Sequence, residues 1–182
     1  MRNLNVKWAL VPIIGLMLSG NLAGIARPAL SHLLSVNNGQ PSKPAVWSYT
    51  STSDKFTGTV YKAAIQSPTK LEFAYPYAGG STATLTVRKK DNTTHVYIEV
   101  SKGQFNRSFQ GGNARIAFDN APAQNYPLLA AANGRANIIF LDADKRFIAK
   151  MKRATRMLVT MEFQGQGKHQ LEFNTTGLRW NH

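Results

Sequence analysis

Apolar and polar residues alternate with a period of two over much of the chain beyond Trp47. In the run Thr84-Leu-Thr-Val-Arg-Lys89, Leu85 and Val87 share one face, and Thr84, Thr86 and Arg88 share the other. Val96, Ile98 and Val100 alternate in the same way with His95, Tyr97 and Glu99. Asp91-Asn92 lies between the two runs and supplies turn chemistry, so the pair predicts a β-hairpin with one buried face. Further strands are expected at Lys55–Ala63, Lys70–Tyr75, Arg115–Asp119, Ala136–Leu141, Arg156–Gln164 and Lys168–Asn174. The last two flank Gly165-Gln166-Gly167, a second hairpin signal.

One segment departs from that period. Between Asp144 and Ala154 the apolar residues Phe147, Ile148, Met151 and Ala154 recur at helical spacing. Asp144 is placed to cap the first turn, and basic residues toward the end suit the helix dipole. The segment predicts a short helix joining two strands. Many short strands with one connecting helix imply an antiparallel β-sandwich or flattened barrel.

The start of the chain carries a different pattern. Arg2 and Lys7 precede a nearly uncharged stretch from Trp8 to Ala26, the layout of a bacterial secretory signal or an N-terminal anchor. Its uninterrupted apolar core, Trp8 to Leu18, is about 11 residues, shorter than the ~20 that span a bilayer. Gly24-Ile25-Ala26 offers a cleavage site, although Pro28 follows closely. The expected organisation is a signal peptide or membrane anchor at 1–26, a linker at 27–46 and one β-domain at 47–182. Within the linker, residues 35–46 are dense in Pro, Gly, Asn and Ser. Export to the periplasm or cell envelope follows, with membrane anchoring through residues 8–26 as the alternative to cleavage.

Composition narrows the chemistry. The chain has no cysteine, which excludes disulfides, Cys-based metal sites and thiol catalysis. Setting aside Arg2 and Lys7 from the 22 basic residues leaves 20 against 9 acidic ones, an excess of 11 positive charges. That excess favours acidic partners.

The landmarks Trp47, Asp54, Thr57, Leu85-Thr-Val-Arg88, Val96-Tyr-Ile98, Arg115-Ile-Ala-Phe-Asp119, Phe140, Ile148, Met157-Leu-Val159 and Leu171-Glu-Phe-Asn-Thr-Thr-Gly177-Leu178 occur in that order. The arrangement over 47–180 resembles the type VI secretion-associated VasI/TagO-like proteins and the small secreted proteins around invasion-associated locus B. The resemblance implies a secreted β-domain with no established catalytic residues to carry over. Those families commonly carry Cys, including one after the equivalent of Arg88, and this chain departs from them there.

No catalytic constellation emerges. Gly79-Gly80-Ser81 lacks the Gly-x-Ser-x-Gly pattern of a nucleophile elbow and reads as a turn. Gly165-Gln-Gly-Lys168 lacks the spacing and the Ser/Thr of a phosphate loop, and no cofactor or metal site is expected. His95 and His169 fall in separate strands and read as exposed polar-face residues. Asp142 and Asp144 suit turn and cap roles, and Asp54 or Asp119 could pair with Arg88 or Arg115.

Two surfaces remain. Lys145, Arg146, Lys150, Lys152, Arg153 and Arg156 crowd the helical segment, and its apolar residues must face the sheet, which turns most of these cations to solvent together. Such a face suits anionic lipid head groups or an anionic envelope polymer. Nucleic acid is disfavoured, because neither an aromatic RNA-binding strand motif nor a DNA-binding helix pair is present. Tyr75, Tyr77 and Tyr126, each beside a proline in an expected loop, form a candidate aromatic rim. The sequence thus points to a non-enzymatic exported binding protein. An accessory interaction module of a secretion or virulence assembly, bound to an envelope protein, is the alternative.

Overall fold

A computed structural model describes residues 46–55, 58–106 and 112–182. The expected leader at 1–26 and nearly all of the linker lie outside the described residues. Among the described residues no helix is long and apolar enough to cross a membrane.

Among the described residues, nine antiparallel strands and one helix follow one another as β1 (Ser48–Asp54), β2 (Gly58–Gln66), β3 (Ala83–Lys90), β4 (Thr93–Val100), β5 (Asn113–Phe118), β6 (Gln124–Ala130), β7 (Ile138–Leu141), α1 (Lys145–Arg153), β8 (Arg156–Phe163) and β9 (Gly167–Asn174). They form one sheet in the order β1-β2-β3-β4-β7-β6-β5-β8-β9. The hairpin of β3 and β4 has the register that alternation demands, with Leu85 opposite Ile98 and Val87 opposite Val96. Asp91 turns it at φ 53°, a left-handed conformation that Asp tolerates better than most residues.

β6 joins the two halves of the sheet. Gln124–Pro127 pairs with β5, and Leu128–Ala130 pairs with β7. Pro127 sits at the changeover, where its missing N–H does least harm to either ladder. Bent at this strand, the sheet brings its inner faces onto a single core. Leu85, Val87, Val96, Ile98 and Ile139 come from one half, and Ile116, Met157, Val159, Leu171 and Phe173 from the other.

The two ends of the sheet are closed by side chains rather than by strand pairing. Trp47 Nε1 donates to Thr175 O at 3.4 Å, and the Tyr49 hydroxyl donates to Gly177 O at 3.3 Å and accepts from Arg179 N at 2.8 Å. His182 stacks on Tyr61 with ring centroids 3.8 Å apart. The architecture is the flattened, barrel-like form of the expected fold class.

Several local expectations need correction. Lys70–Tyr75 is not a strand. Its alternation is genuine, with Leu71 and Phe73 both buried, but its ladder is limited to the Leu71–Ser81 bridge. Beyond that bridge the Ala74 N–H goes to the Gln166 side chain at 2.8 Å instead of to a neighbouring strand. Tyr126-Pro127, expected in a loop, lies within β6. β1 was not expected as a strand, and β2 begins at Gly58 and continues to Gln66.

Candidate functional site

The helix forms because Asp144 starts it and three apolar side chains hold it down. Asp144 Oδ1 accepts the Phe147 N–H at 2.8 Å, and Phe147, Ile148 and Met151 are buried. The Phe147 ring meets Phe118 edge-on at 5.4 Å and Tyr126 at 4.9 Å, fixing α1 against β5 and β6. The C-terminal end is fixed by Asp119. Its Oδ1 accepts from Thr155 Oγ1 at 2.6 Å, Thr155 N at 2.9 Å and Arg156 N at 3.0 Å. Thr175, fully buried, adds a hydroxyl bond to Ala154 O at 2.8 Å.

These bonds hold the Asp119 carboxyl below the usual range. The Thr155 hydroxyl contributes most, followed by the Arg156 N–H, and with the Thr155 N–H and the Arg156 charge they outweigh the opposing effect of desolvation. The carboxylate is therefore favoured in the folded chain. Its contribution to stability is complete above the unfolded value of about 3.9 and fades as pH falls through the lower folded value. Asp119→Asn should lower the melting temperature at neutral pH, and the gap to the native protein should shrink below about pH 4. A gap that stays constant from neutral to acid pH would count against a charged Asp119. The expected pairing of Asp119 with Arg88 or Arg115 is replaced by this clamp on the helix exit.

The cations sit as the helical period requires. Lys145, Arg146, Lys152, Arg153 and Arg156 are exposed, and Lys150 is half-buried. Lys150 Nζ donates to Gln124 Oε1 at 3.0 Å and to the Tyr126 hydroxyl at 3.2 Å. Lys152 Nζ donates to Trp180 O at 2.9 Å and Asn181 Oδ1 at 3.3 Å. All four acceptors are neutral. The only ion pair among the described residues, Arg135 with Glu99, lies elsewhere on the surface. The side chains of Lys145, Arg146 and Arg153 make no hydrogen bond or ion pair among the described residues.

The aromatic candidates do not gather. Tyr75 is 89% exposed, while Tyr77 is half-buried and edge-on to Phe73 at 6.4 Å. Tyr126 belongs with the helix, where its hydroxyl meets Lys150 and its ring meets Phe147. The histidines also part company. His95 lies on the outer face beside Phe140 at 5.8 Å. His169 is not on a polar face: it is half-buried, edge-on to Phe73 at 5.0 Å and to Phe163 at 5.7 Å. Ser81 is fully buried, bonded through Oγ to Lys102 O at 2.8 Å and Lys102 N at 3.0 Å. Among the described residues, no three His, Asp or Glu side chains gather as a metal site would need.

A groove beside α1 was not legible in the sequence. It is lined by β5, by the turn after it and by the last turn of the helix, and encloses about 430 Å³. Ile116 and Phe118, at strand positions in the sequence pattern, line it together with Pro122, which follows β5. No family model matches this sequence, and no curated protein or solved structure shows significant similarity to it. The resemblance to VasI/TagO-like proteins therefore rests on the residue pattern alone.

Proposed function

We propose that this protein is a non-catalytic binding protein of the bacterial cell envelope, exported by its N-terminal leader, that attaches to an anionic envelope component through α1. The observation that supports this reading is the uncompensated charge of the helix. Basic side chains cover its exposed face, and none has a carboxylate within ion-pairing distance among the described residues. A helix fixed at both ends presents these charges together, so they act on one surface. The leader pattern in residues 1–26 supports the compartment.

The exposed cations Lys145, Arg146 and Arg153 are the ones to reverse, because Lys150 and Lys152 also tie the helix to its neighbours. Near an anionic bilayer each basic residue contributes about 1 kcal/mol, so Lys145→Glu, Arg146→Glu and Arg153→Glu together should weaken attachment by roughly 100-fold or more. Sedimentation with phosphatidylglycerol-containing vesicles measures it, and added salt should weaken the native protein's attachment in the same direction. Equal sedimentation of native and reversed proteins would remove the helix from the account.

A further inference from the structure

The groove beside α1 combines an apolar floor with a cationic mouth. The buried Ile116 and Ala154 and the half-buried Phe118 form its floor, and the exposed Pro122, the half-buried Lys150 and the exposed Arg153 border it. We propose that it takes the acyl chain of a single-chain phosphate lipid, with the phosphate lying between Lys150 and Arg153. This inference rests on the reading of α1 as an anion-binding element and names the ligand class of that site.

The geometry argues for an amphiphile over a purely polar ligand. A sugar polymer or a free phosphate would leave the apolar floor in water, whereas an alkyl chain removes it from water. The volume is near the lower end of the range for small-molecule sites, which suits one chain. At the mouth, the Lys150 ammonium has three donors and gives two to Gln124 and Tyr126. Those bonds hold it at the rim and leave a donor for a phosphate oxygen. Arg153 keeps its whole guanidinium fork, which matches phosphate geometry. Asp119 also borders the groove and opposes an anion there. Its Oδ1 is engaged by three donors from Thr155 and Arg156, and the neighbouring Arg156 charge offsets it. The sum at the mouth favours an anionic head group.

The test is calorimetry of the full chain with lysophosphatidates of increasing chain length, each below its micellar concentration. Affinity should tighten about three- to fourfold per added methylene while the groove fills. A monoacylglycerol of equal length should bind at least about tenfold more weakly, because it lacks the charge. Ala121→Trp, which places a bulky side chain in the groove, should flatten the dependence on chain length. Affinity of the native protein that ignores chain length, or equal binding of the neutral lipid, would overturn the inference. Vesicle sedimentation of the native protein separates the two failures. Attachment to vesicles with a flat chain-length series removes the groove and keeps the cationic surface. A steep series without vesicle attachment keeps the groove and removes the surface reading.

Discussion

Replacing Phe147 with alanine is expected to lower the unfolding free energy by about 3–5 kcal/mol, the range for truncating a buried aromatic side chain. The ring is 1% exposed and packs edge-on between Phe118 and Tyr126, so little nearby can collapse into the space it leaves. The helix it anchors has only nine residues, too few to persist without tertiary contacts. Two further buried side chains, Ile148 and Met151, would remain to hold α1. Urea unfolding provides the measurement. The midpoint should fall at an unchanged slope, because the surface exposed on unfolding hardly changes. A loss below about 1 kcal/mol would mean that Phe147 is not seated between those rings.

The second large effect is expected at Gly103, in the turn that follows β4. Its φ is +89°, a conformation that costs residues with a Cβ on the order of 1–2 kcal/mol. A Cβ there would also lie 2.6 Å from Cε2 of Phe73. Phe73 cannot easily withdraw, because it packs on Phe163 with centroids 5.0 Å apart and on His169. The turn cannot easily move either, since the buried Ser81 hydroxyl bonds both the N–H and the carbonyl of Lys102. Overpacking of this kind adds about 1–3 kcal/mol, so Gly103→Ala should cost roughly 2–5 kcal/mol in all. Thermal melts of the two proteins decide it. A melting temperature within a degree of the native one would show that the ring and backbone are not in this contact.

How far the fold could be read from sequence depended on which faces of each element are buried. β4, β8 and β9 each bury one face, and β3 does so apart from Thr86, which is also buried; their alternation is plain in Leu85 and Val87 or in Leu171 and Phe173. β1 escaped notice because Ser48–Asp54 is an edge strand with no aliphatic residue, Tyr49 being its sole large apolar side chain. β6 escaped because Pro127 reads as a breaker, and a strand that changes ladders partway can tolerate one. Lys70–Tyr75 misled in the opposite sense: alternation reports burial, and burial alone does not make a ladder.

The candidate site divides along similar lines. Helical spacing placed Phe147, Ile148 and Met151 inward, and that alone turned Arg146 and Arg153 outward. What spacing could not supply were contacts between residues distant in the chain. Lys150 meets Gln124 and Tyr126, Lys152 meets Trp180, and Asp119 meets Thr155 across 36 positions. The groove belongs to the same class, since Ile116 and Ala154 become neighbours only after folding.

The seam between β1 and the C-terminal tail sets the order in which the molecule can come together and come apart. The contacts from Trp47 to Thr175 and from Tyr49 to Gly177 each span 128 positions, and the Arg179 N–H bond to the Tyr49 hydroxyl spans 130. Closing so long a loop is entropically favourable only after the intervening hairpins have shortened the effective path. The halves on either side of β6 therefore assemble first, and the seam latches them afterwards. Opening runs the other way: a few side-chain bonds release the outer edge of β1 while the ladders of β3, β4, β8 and β9 stay intact.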